Sequence, residues 1–404
     1  MSHGTLAPVA RPANVPPELV VDFDVHGPER AAEDLHGAWR KLHQGPDIVW
    51  APYHGGHWIL TRQADIDFVQ RTHDPFSMRD VTMPANTRPT RLLPLEADPP
   101  EHAPFRAILN PWFSPKRISA LKDFTRQLAV DLIEDFKPRG ECEFMQEFAL
   151  ILPIAIFMKL TNLPMSDREH LLKLAQMSTR GGPDERAQSA LQMMSYLGPV
   201  IADRRANPGD DVLSTVVHAK VNGQPINDTD MMSMLLVILF GGLDTVASTL
   251  GFIANHMAGS PAHRQQLIDE PGLVDNAVEE LMRRFPPSAT ARTMSRDYEY
   301  KGVHFKQGDK VYIYTLMAGL DERRYPDAWN VDFRRPDAQQ HNSFGAGPHR
   351  CPGALLAKLE IKLFLQEWLA RIPQFHVKSG DPVVYGAGQV NCVERLVLTW
   401  PVPA

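Results

Sequence analysis

Apolar residues recur at helical spacing through most of the chain. From Pro100 to about Ser260 the pattern is nearly all helical and is interrupted mainly by prolines. The longest predicted helix, Asp228–Ala258, follows Asn227, a residue type that caps helix N-termini well. Further helices are predicted over Gly272–Phe285 and Pro352–Ile372.

Shorter segments outside this helical region predict strands. A helical pattern at Glu29–His43 precedes two apolar runs that flank His54-Gly55-Gly56, and this arrangement is typical of a β-hairpin. The other predicted strands are Tyr298–Tyr300, Val303–Phe305, Lys310–Tyr314, Gln374–Val377 and Leu396–Trp400. Because strands and helices do not alternate, the pattern favours a mainly α fold with small β-sheets. We expect a single domain over residues 1–404, with a Pro-rich extended arm over 1–20.

Composition narrows the classes of function. The 404 residues are 43% hydrophobic, enough for a large core, and 48 acidic against 42 basic residues give a net charge of −6. An acidic chain is not expected to bind nucleic acid. The longest apolar run, Met231–Leu243, is too short to span a bilayer and runs into Asp244. No apolar segment of a secretory signal is present near the N-terminus, so a soluble cytoplasmic protein is expected.

The number and spacing of the cysteines also favour a cytoplasmic protein. Cys142, Cys351 and Cys392 are odd in number and show no C-x-x-C spacing. This argues against a disulfide scaffold or a zinc site and fits a reducing compartment.

One cysteine lies in an unusual context. The segment Phe344-Gly345-Ala346-Gly347-Pro348-His349-Arg350-Cys351-Pro352-Gly353 places Cys351 in a glycine-rich loop directly before a predicted helix. Such a loop can turn backbone N–H groups toward the sulfur, which stabilises a thiolate, and a thiolate can ligate iron. A lone cysteine is more often buried and inert. The surrounding pattern favours the ligand.

This segment resembles the haem-binding loop of the cytochrome P450 family. Further stretches resemble its bacterial camphor-hydroxylase branch: Gly55-Gly56-His57-Trp58-Ile59, Gly241-Gly242-Leu243-Asp244-Thr245, Gly319-Leu320-Asp321-Glu322-Arg323 and Trp368-Leu369-Ala370-Arg371-Ile372-Pro373. The resemblance covers almost the whole chain. It implies the cytochrome P450 fold, with haem b bound through Cys351 and near Phe344. It also implies hydroxylation of a small apolar molecule with O₂ and electrons from a [2Fe-2S] ferredoxin, itself reduced by a flavoprotein reductase.

Glu280 and Arg283 are spaced so that they share a helix face, which makes an ion pair easy. Without further context this would be an ordinary surface pair. In the family such a pair joins an arginine ahead of the cysteine loop, and Arg334 or Arg335 could complete it here. The implied role is structural.

Gly241 and Gly242 lie inside the long predicted helix, where each glycine costs about 1 kcal/mol relative to alanine. Close approach of a planar ligand would explain them, and a simple helix kink is the alternative. A buried Thr245 can bond the carbonyl one turn back and bend the helix. The resemblance implies that Thr245 hydrogen-bonds the activated dioxygen and that Asp244 controls proton delivery from solvent.

Basic residues match the places where the family holds the haem propionates. They are His102, Arg106, Arg292 and His349. A second set, Arg106, Arg350 and Lys358, would form a positive patch around the thiolate loop that steers an acidic electron donor. Solvated surface charges are the equally weighted alternative for this patch.

The sequence departs from the camphor branch in two places. Thr90–Asp98 contains no tyrosine to anchor a ketone, which argues against camphor as the native substrate. Pocket positions carried over are Met83, Thr90, Leu92, Leu95, Val237, Phe240, Ser288 and Val390. They suggest a terpenoid or a norisoprenoid such as an ionone, although an apolar stripe is more often core. The second departure is Pro352, which lacks a backbone N–H for the thiolate and is expected to lower the haem potential.

Two other functions compete with a monooxygenase. A peroxide-using or dehydrating haem-thiolate enzyme would share the fold but typically lacks the acid–alcohol pair that Asp244 and Thr245 provide. A non-catalytic haem or gas sensor would need no electron donor.

Overall fold

The computed structural model describes residues 7–29, 31–83 and 90–402. Its helices are α1 (Gly37–Arg40), α2 (Gln63–Arg71), α3 (His102–Leu109), α4 (Pro115–Ala120), α5 (Lys122–Phe136), α6 (Leu152–Thr161), α7 (Arg168–Arg180), α8 (Pro183–Ala206), α9 (Val212–Val217), α10 (Asp228–Gly242), α11 (Thr245–Gly259), α12 (Pro261–Asp269), α13 (Val274–Arg284), α14 (Thr315–Gly319) and α15 (Ala354–Arg371). Helices therefore dominate, as the sequence predicts.

The strands are short and group into small sheets. They are β1 (Ile48–Ala51), β2 (His57–Leu60), β3 (Phe76–Ser77), β4 (Glu141–Glu143), β5 (Lys220–Val221), β6 (Gln224–Pro225), β7 (Ala289–Met294), β8 (Tyr298–Tyr300), β9 (Val303–Phe305), β10 (Lys310–Tyr314), β11 (His376–Val377), β12 (Val384–Gly386), β13 (Cys392–Arg395) and β14 (Val397–Thr399). One sheet has five strands in the order β1-β2-β10-β7-β3. The predicted hairpin is its outer pair, with Ile48 opposite Leu60.

The hydrophobic interior has two parts. The larger cluster lies between the helices and contains most of α10, α11 and α15. The smaller cluster packs beneath the five-stranded sheet around Trp39, Trp58 and Tyr312. Both clusters contain residues of the candidate site described below.

The long predicted helix is divided in two. The Asn227 side chain accepts a hydrogen bond from the Asp230 N–H at 2.9 Å, so α10 begins where the predicted cap places it. Helical geometry stops at Leu243 and resumes as α11 at Thr245, whose hydroxyl donates to the Gly241 carbonyl at 3.3 Å. The stretch 228–259 is apolar enough to cross a membrane by length and composition alone. However, 72% of its most apolar window is buried inside the fold, as expected for core helices.

The structure differs from the sequence prediction at further elements, among them the short strands β3, β4, β5, β6, β12 and β13, which were not predicted. The helix expected at Glu29–His43 is reduced to α1 and a following 3₁₀ turn, because the Asp34 carboxylate accepts the Gly37 N–H at 2.9 Å and starts the helix late. Strand β7 was not predicted. Its polar positions, including Thr290 and Arg292, interrupt the apolar pattern, yet it is a central strand paired to β10 and β3. Residues 1–6 of the predicted N-terminal arm lie outside the described residues.

Candidate haem-thiolate site

The cysteine loop is held by its own backbone. The Cys351 N–H donates to the Phe344 carbonyl at 2.8 Å, which closes the loop directly before α15. Gly347 has a φ of 68°, and a Cβ on it would lie 3.0 Å from the Arg71 Cα, so neither the conformation nor the space suits another residue. The loop therefore presents the cysteine in one fixed orientation.

Cys351 differs from the other two cysteines in its surroundings. Burial raises the pKa of the Cys351 thiol, but the Gly353 N–H, Arg106 and Arg350 act in the opposite direction. Residue Cys351 keeps exposed surface although its sulfur lies against the loop, whereas Cys142 and Cys392 are buried in sheets at 2% and 1% exposure. Burial raises the pKa of Cys392 to about 12 and that of Cys142 further. Cys351 is thus the one cysteine placed to act as a thiolate.

The predicted ion pair forms at the end of α13. Glu280 and Arg283 are fully buried, and two hydrogen bonds of 2.7 and 2.8 Å join them. Arg335 completes the network with contacts of 3.1 and 3.2 Å to the same carboxylate. Arg334, the other candidate, pairs instead with Glu270 at the surface.

This network ties several chain segments to α13. Arg283 donates to the carbonyls of Gly319 and Ala328, the latter at 2.8 Å, and the Asp332 N–H donates to Glu280 at 2.9 Å. The hydroxyl of Ser343, next to the cysteine loop, donates to a carbonyl in the same helix at 2.6 Å. The stretch before the cysteine loop is therefore fixed on α13 by groups that fully satisfy one another.

The helix break places an acid inside the protein. Asp244 is 1% exposed, and the Arg180 guanidinium at the end of α7 donates to both of its oxygens at 2.5 and 2.6 Å. The Thr179 hydroxyl donates to the same carboxylate at 3.2 Å. Sequence reasoning found Asp244 and Thr245 but missed Arg180 and Thr179, because no local motif links residues so far apart.

The two helix glycines have different explanations. Nothing lies within 4 Å of the position that a Cβ on Gly241 would take. Val237, Gly241 and Thr245 follow one another every four residues and are at least partly exposed, so they form one stripe on the same side of the helices. At Gly242, a Cβ would meet the Phe157 ring at 2.4 Å. The prediction that both glycines allow close approach of a planar ligand is wrong for Gly242, which is required for packing against α6.

The predicted propionate residues come together at one place. The rings of His102 and His349 are 4.3 Å apart between centroids. Neighbouring positive charge from His102, Arg292 and Arg106 adds to burial and holds the pKa of His349 at about 3. Burial lowers the pKa of Arg292 to about 10, with Asp98 alone opposing it.

This basic cluster (His102, Arg106, Arg292 and His349) lacks compensating acids. Arg292 hydrogen-bonds Thr290 and the Ala291 carbonyl at 3.3 and 3.2 Å, and no carboxylate of the described residues bonds it. His349 Nε2 is buried without a hydrogen-bond partner among the described residues. Arg292 is a buried cation, and a buried cation without a counter-charge is costly, whereas the low pKa of His349 keeps that ring neutral. Their arrangement is that of a binding site for an anionic group.

The predicted donor-binding patch is weaker than expected. Lys358 is paired with Glu279 at 2.6 Å, which cancels its charge locally. Arg106 donates to the Arg350 carbonyl and, at 2.8 Å, to the Asn110 side chain, so it supports the cysteine loop. Arg350 is exposed, whereas Arg106 and Lys358 are half-buried. The prediction that Arg106, Arg350 and Lys358 together form a positive patch is therefore wrong for Lys358, whose charge is paired.

The predicted pocket residues fall into three groups. Leu92, Leu95, Val237 and Phe240 belong to the helical core, and Met83 belongs to the core under the sheet. Ser288 and Val390 form an antiparallel bridge ahead of β7. Thr90 is half-buried at the edge of the described residues.

Comparisons with known proteins agree with this site. The family described as Cytochrome P450 matches residues 185–382. A relative from Sinorhizobium fredii, "Probable cytochrome P450 127A1", is 33% identical over 400 residues and 96% of each chain. The solved structure of CYP101J2 is 40% identical, with a TM-score of 0.89 over 98% of this chain and 100% of that one. CYP101C1 is 34% identical, with a TM-score of 0.89 over 97% and 100%.

Fold, thiol loop and basic cluster together define a haem-thiolate oxidoreductase. The chain belongs to the cytochrome P450 family. The predicted fold class, the monooxygenase class and the haem b cofactor are thereby confirmed. The residues present fit haem b, since its two propionates would supply the negative charge that the basic cluster lacks.

Proposed function

We propose that this monooxygenase hydroxylates a small, mostly apolar substrate of the terpenoid or norisoprenoid type, in the cytoplasm, with electrons from a [2Fe-2S] ferredoxin and its flavoprotein reductase. The reaction takes one C–H bond, O₂, two electrons and two protons to an alcohol and water. The observation that carries the assignment is Cys351, the thiol held in a rigid loop next to the uncompensated basic cluster.

Cys351 is assigned as the residue whose thiolate would bind the haem iron. Haem bound through a thiolate supplies dioxygen chemistry, because the thiolate favours O–O cleavage. The chain contributes the Gly353 N–H, which stabilises negative charge on the sulfur, while Pro352 has no N–H to add. A lower haem potential caused by Pro352 stays a prediction.

The basic cluster is assigned to the propionates. Arg292 and His349 are the best placed to bind, since neither has a carboxylate partner. His102 packs against His349 and fixes its ring. Charge-assisted hydrogen bonds of this kind contribute more than neutral ones and also fix orientation.

Asp244 and Thr245 are assigned to proton delivery. Thr245 lies on the stripe of Val237 and Gly241, and its hydroxyl donates to the Gly241 carbonyl. Asp244 lies behind it and is connected through Arg180 to the end of α7. An acid shielded from water can pass protons without flooding the site. This acid–alcohol pair favours O₂ use over peroxide use, and turnover with the electron donor would distinguish an enzyme from a sensor.

The assignment of the ligand can be tested with matched cysteine variants. Cys351→Ser should abolish the absorption of the reduced CO complex at about 450 nm, and Cys392→Ser should retain it. Retention of the band in Cys351→Ser would overturn the assignment. Screening terpenoids and ionones for a low-to-high-spin shift would then test the substrate class.

A further inference from the structure

A histidine with a buried side chain lies on the segment that leads into the cysteine loop. The side chain of His341 is 2% exposed, and its two ring nitrogens have different partners. The Ser343 N–H donates to His341 Nδ1 at 3.1 Å, and Nε2 lies 3.2 Å from a carboxylate oxygen of Glu279. A backbone N–H can only donate, so Nδ1 is the unprotonated nitrogen and Nε2–H donates to Glu279. The two contacts therefore select one neutral tautomer of the ring.

This tautomer connects α13 to the loop that holds the thiol. Ser343 donates through its N–H to His341 and through its hydroxyl to a carbonyl of α13 at 2.6 Å. The carbonyl of the next residue, Phe344, accepts the Cys351 N–H at 2.8 Å. The His341 ring thus acts on the backbone of Cys351 through Ser343 and Phe344.

The charges that act on His341 come from three elements. Burial lowers the pKa of His341, and the hydrogen-bonded carboxylate of Glu279 on α13 raises it. Lys358 on α15 and Arg350 in the cysteine loop also lower this pKa. Lys358 donates to the other oxygen of Glu279 at 2.6 Å, so it compensates the carboxylate directly. The pair of Glu279 and Lys358 therefore orients the ring while keeping it uncharged.

Protonation of the ring would break this arrangement. A proton on Nδ1 of His341 would face the N–H of Ser343, and two donors cannot form a hydrogen bond with each other. The carboxylate that α2 places on the same segment, Asp67, accepts from Asn342 and is paired with Arg71 at 2.7 Å. The neutral form of His341 is thus the form that fixes the segment before the cysteine loop.

We propose that His341 is a positioning residue for the cysteine ligand. As a neutral ring, oriented by Glu279 and kept uncharged by Lys358, it holds the cysteine loop in the conformation that binds iron. Lys358 then serves the loop from within its pair with Glu279. This inference rests on the proposed function, because it takes Cys351 as the residue whose thiolate would bind the haem iron.

A pH titration of the intact haem protein tests the role of the charge pair. The measured quantity is the midpoint pH at which the reduced CO complex loses its band at about 450 nm. Because the pKa of His341 lies below the ordinary value of 6.5, the original protein should lose the band only at acid pH.

Two charge variants should move this midpoint in a defined order. Lys358→Met leaves Glu279 uncompensated, which raises the pKa of His341, so the midpoint should rise by about 0.5–1 pH unit. Glu279→Gln removes the carboxylate charge but retains an oxygen acceptor, so it should not raise the midpoint. The double variant removes both charges and should have a midpoint close to that of the original protein.

Two further variants identify the titrating group. In His341→Asn, the side-chain oxygen can accept the N–H two residues further on, and it does not titrate. This variant should keep the band at neutral pH, and in this background Lys358→Met should no longer move the midpoint. Lys362→Met is the control, because Lys362 lies on the same helix and is paired with Asp275 at 2.6 Å. It should leave the midpoint unchanged.

An unchanged midpoint in Lys358→Met would overturn the inference. A shift that persists in the His341→Asn background, or one that Lys362→Met reproduces, would overturn it as well. If His341→Asn does not fold, Lys358→Met and the double variant still decide. A normal band in the unaltered protein at neutral pH shows that the haem-thiolate site stands even if this inference fails. Absence of that band in the unaltered protein would defeat the proposed function instead.

Discussion

Two buried groups of charges lie on either side of the cysteine loop, and they are built on opposite principles. In the ion-pair network (Glu280, Arg283 and Arg335), acid and base are both present and nearly every polar atom has a partner. In the basic cluster, four basic side chains lie together, and within the described part of the chain Asp98 is the one acid that acts on Arg292.

The difference separates structure from binding. A buried charge that its neighbours compensate fixes the fold, and removing one partner leaves the other exposed to the full desolvation cost. A buried charge without compensation is retained at a cost to stability, which a ligand of opposite charge offsets. The ion-pair network should therefore matter for folding, and the basic cluster for holding the cofactor.

The largest expected effect comes from breaking the ion-pair network. Glu280→Gln leaves two buried guanidinium groups without a carboxylate and should lower the free energy of unfolding by about 3–5 kcal/mol, measured by urea denaturation. The control is Glu270→Gln, because its partner Arg334 is 58% exposed. That variant should change stability by about 1 kcal/mol or less. Similar losses of unfolding free energy in Glu280→Gln and Glu270→Gln would contradict the distinction between the buried ion-pair network and a surface pair.

Removing a charge from the basic cluster should act on haem retention instead. Arg292→Leu removes the guanidinium that we assign to a propionate, and a charge-assisted hydrogen bond of this kind is worth about 1.5–3 kcal/mol. We expect haem to transfer to excess apomyoglobin about 10- to 100-fold faster, with the control Arg334→Leu unchanged. An Arg292→Leu protein that keeps haem as tightly as the original would show that the cluster binds something else.

His57 in the β1–β2 hairpin extends the comparison, because the folded protein keeps this buried histidine uncharged. Burial lowers the pKa of His57 to about 3, so the folded protein keeps it neutral while the unfolded chain protonates it near its ordinary value of 6.5. The unfolded state then binds more protons below pH 6.5, and stability falls with decreasing pH. At pH 5 the loss from this residue should be about 2 kcal/mol.

Urea unfolding at pH 7.5 and pH 5 measures this loss. His57→Asn should show a smaller difference between the two pH values than the original protein. His304→Asn, at a side chain that is 63% exposed, should show no such reduction. A pH dependence that His57→Asn leaves intact would place the titration elsewhere.

The smallest effect is expected at the surface. Arg350→Met removes an unpaired charge near the loop and should slow reduction by a [2Fe-2S] ferredoxin about twofold to threefold at low salt, with little effect at high salt. The double variant Glu279→Gln/Lys358→Met removes a charge pair and should leave the rate unchanged. Reduction rates independent of ionic strength would rule out steering at this face.

Local spacing made much of this architecture predictable. The cysteine loop, the Asn227 cap and the Glu280–Arg283 pair each depend on residues close in sequence, so geometry follows from spacing. The fold class followed from the helical periodicity. The family resemblance predicted that the four basic residues lie close together, which no local sequence pattern indicates.

Contacts between distant segments could not be predicted. The Arg180–Asp244 pair joins residues 64 positions apart, and the Lys358–Glu279 pair joins residues 79 apart. Nothing in either segment identifies the partner. Strand β7 was missed because its inward-facing polar residues serve the site and so break the apolar alternation that marks a strand.

The burial of Cys142 and Cys392 has a practical consequence. With their thiols held protonated and enclosed, and with Cys351 assigned to the iron, we expect the holoprotein to offer no ready target for maleimide reagents. A cysteine introduced on the outer surface would then be the sole attachment point for a fluorophore or spin label. Distances within the working enzyme could be followed without first removing native thiols.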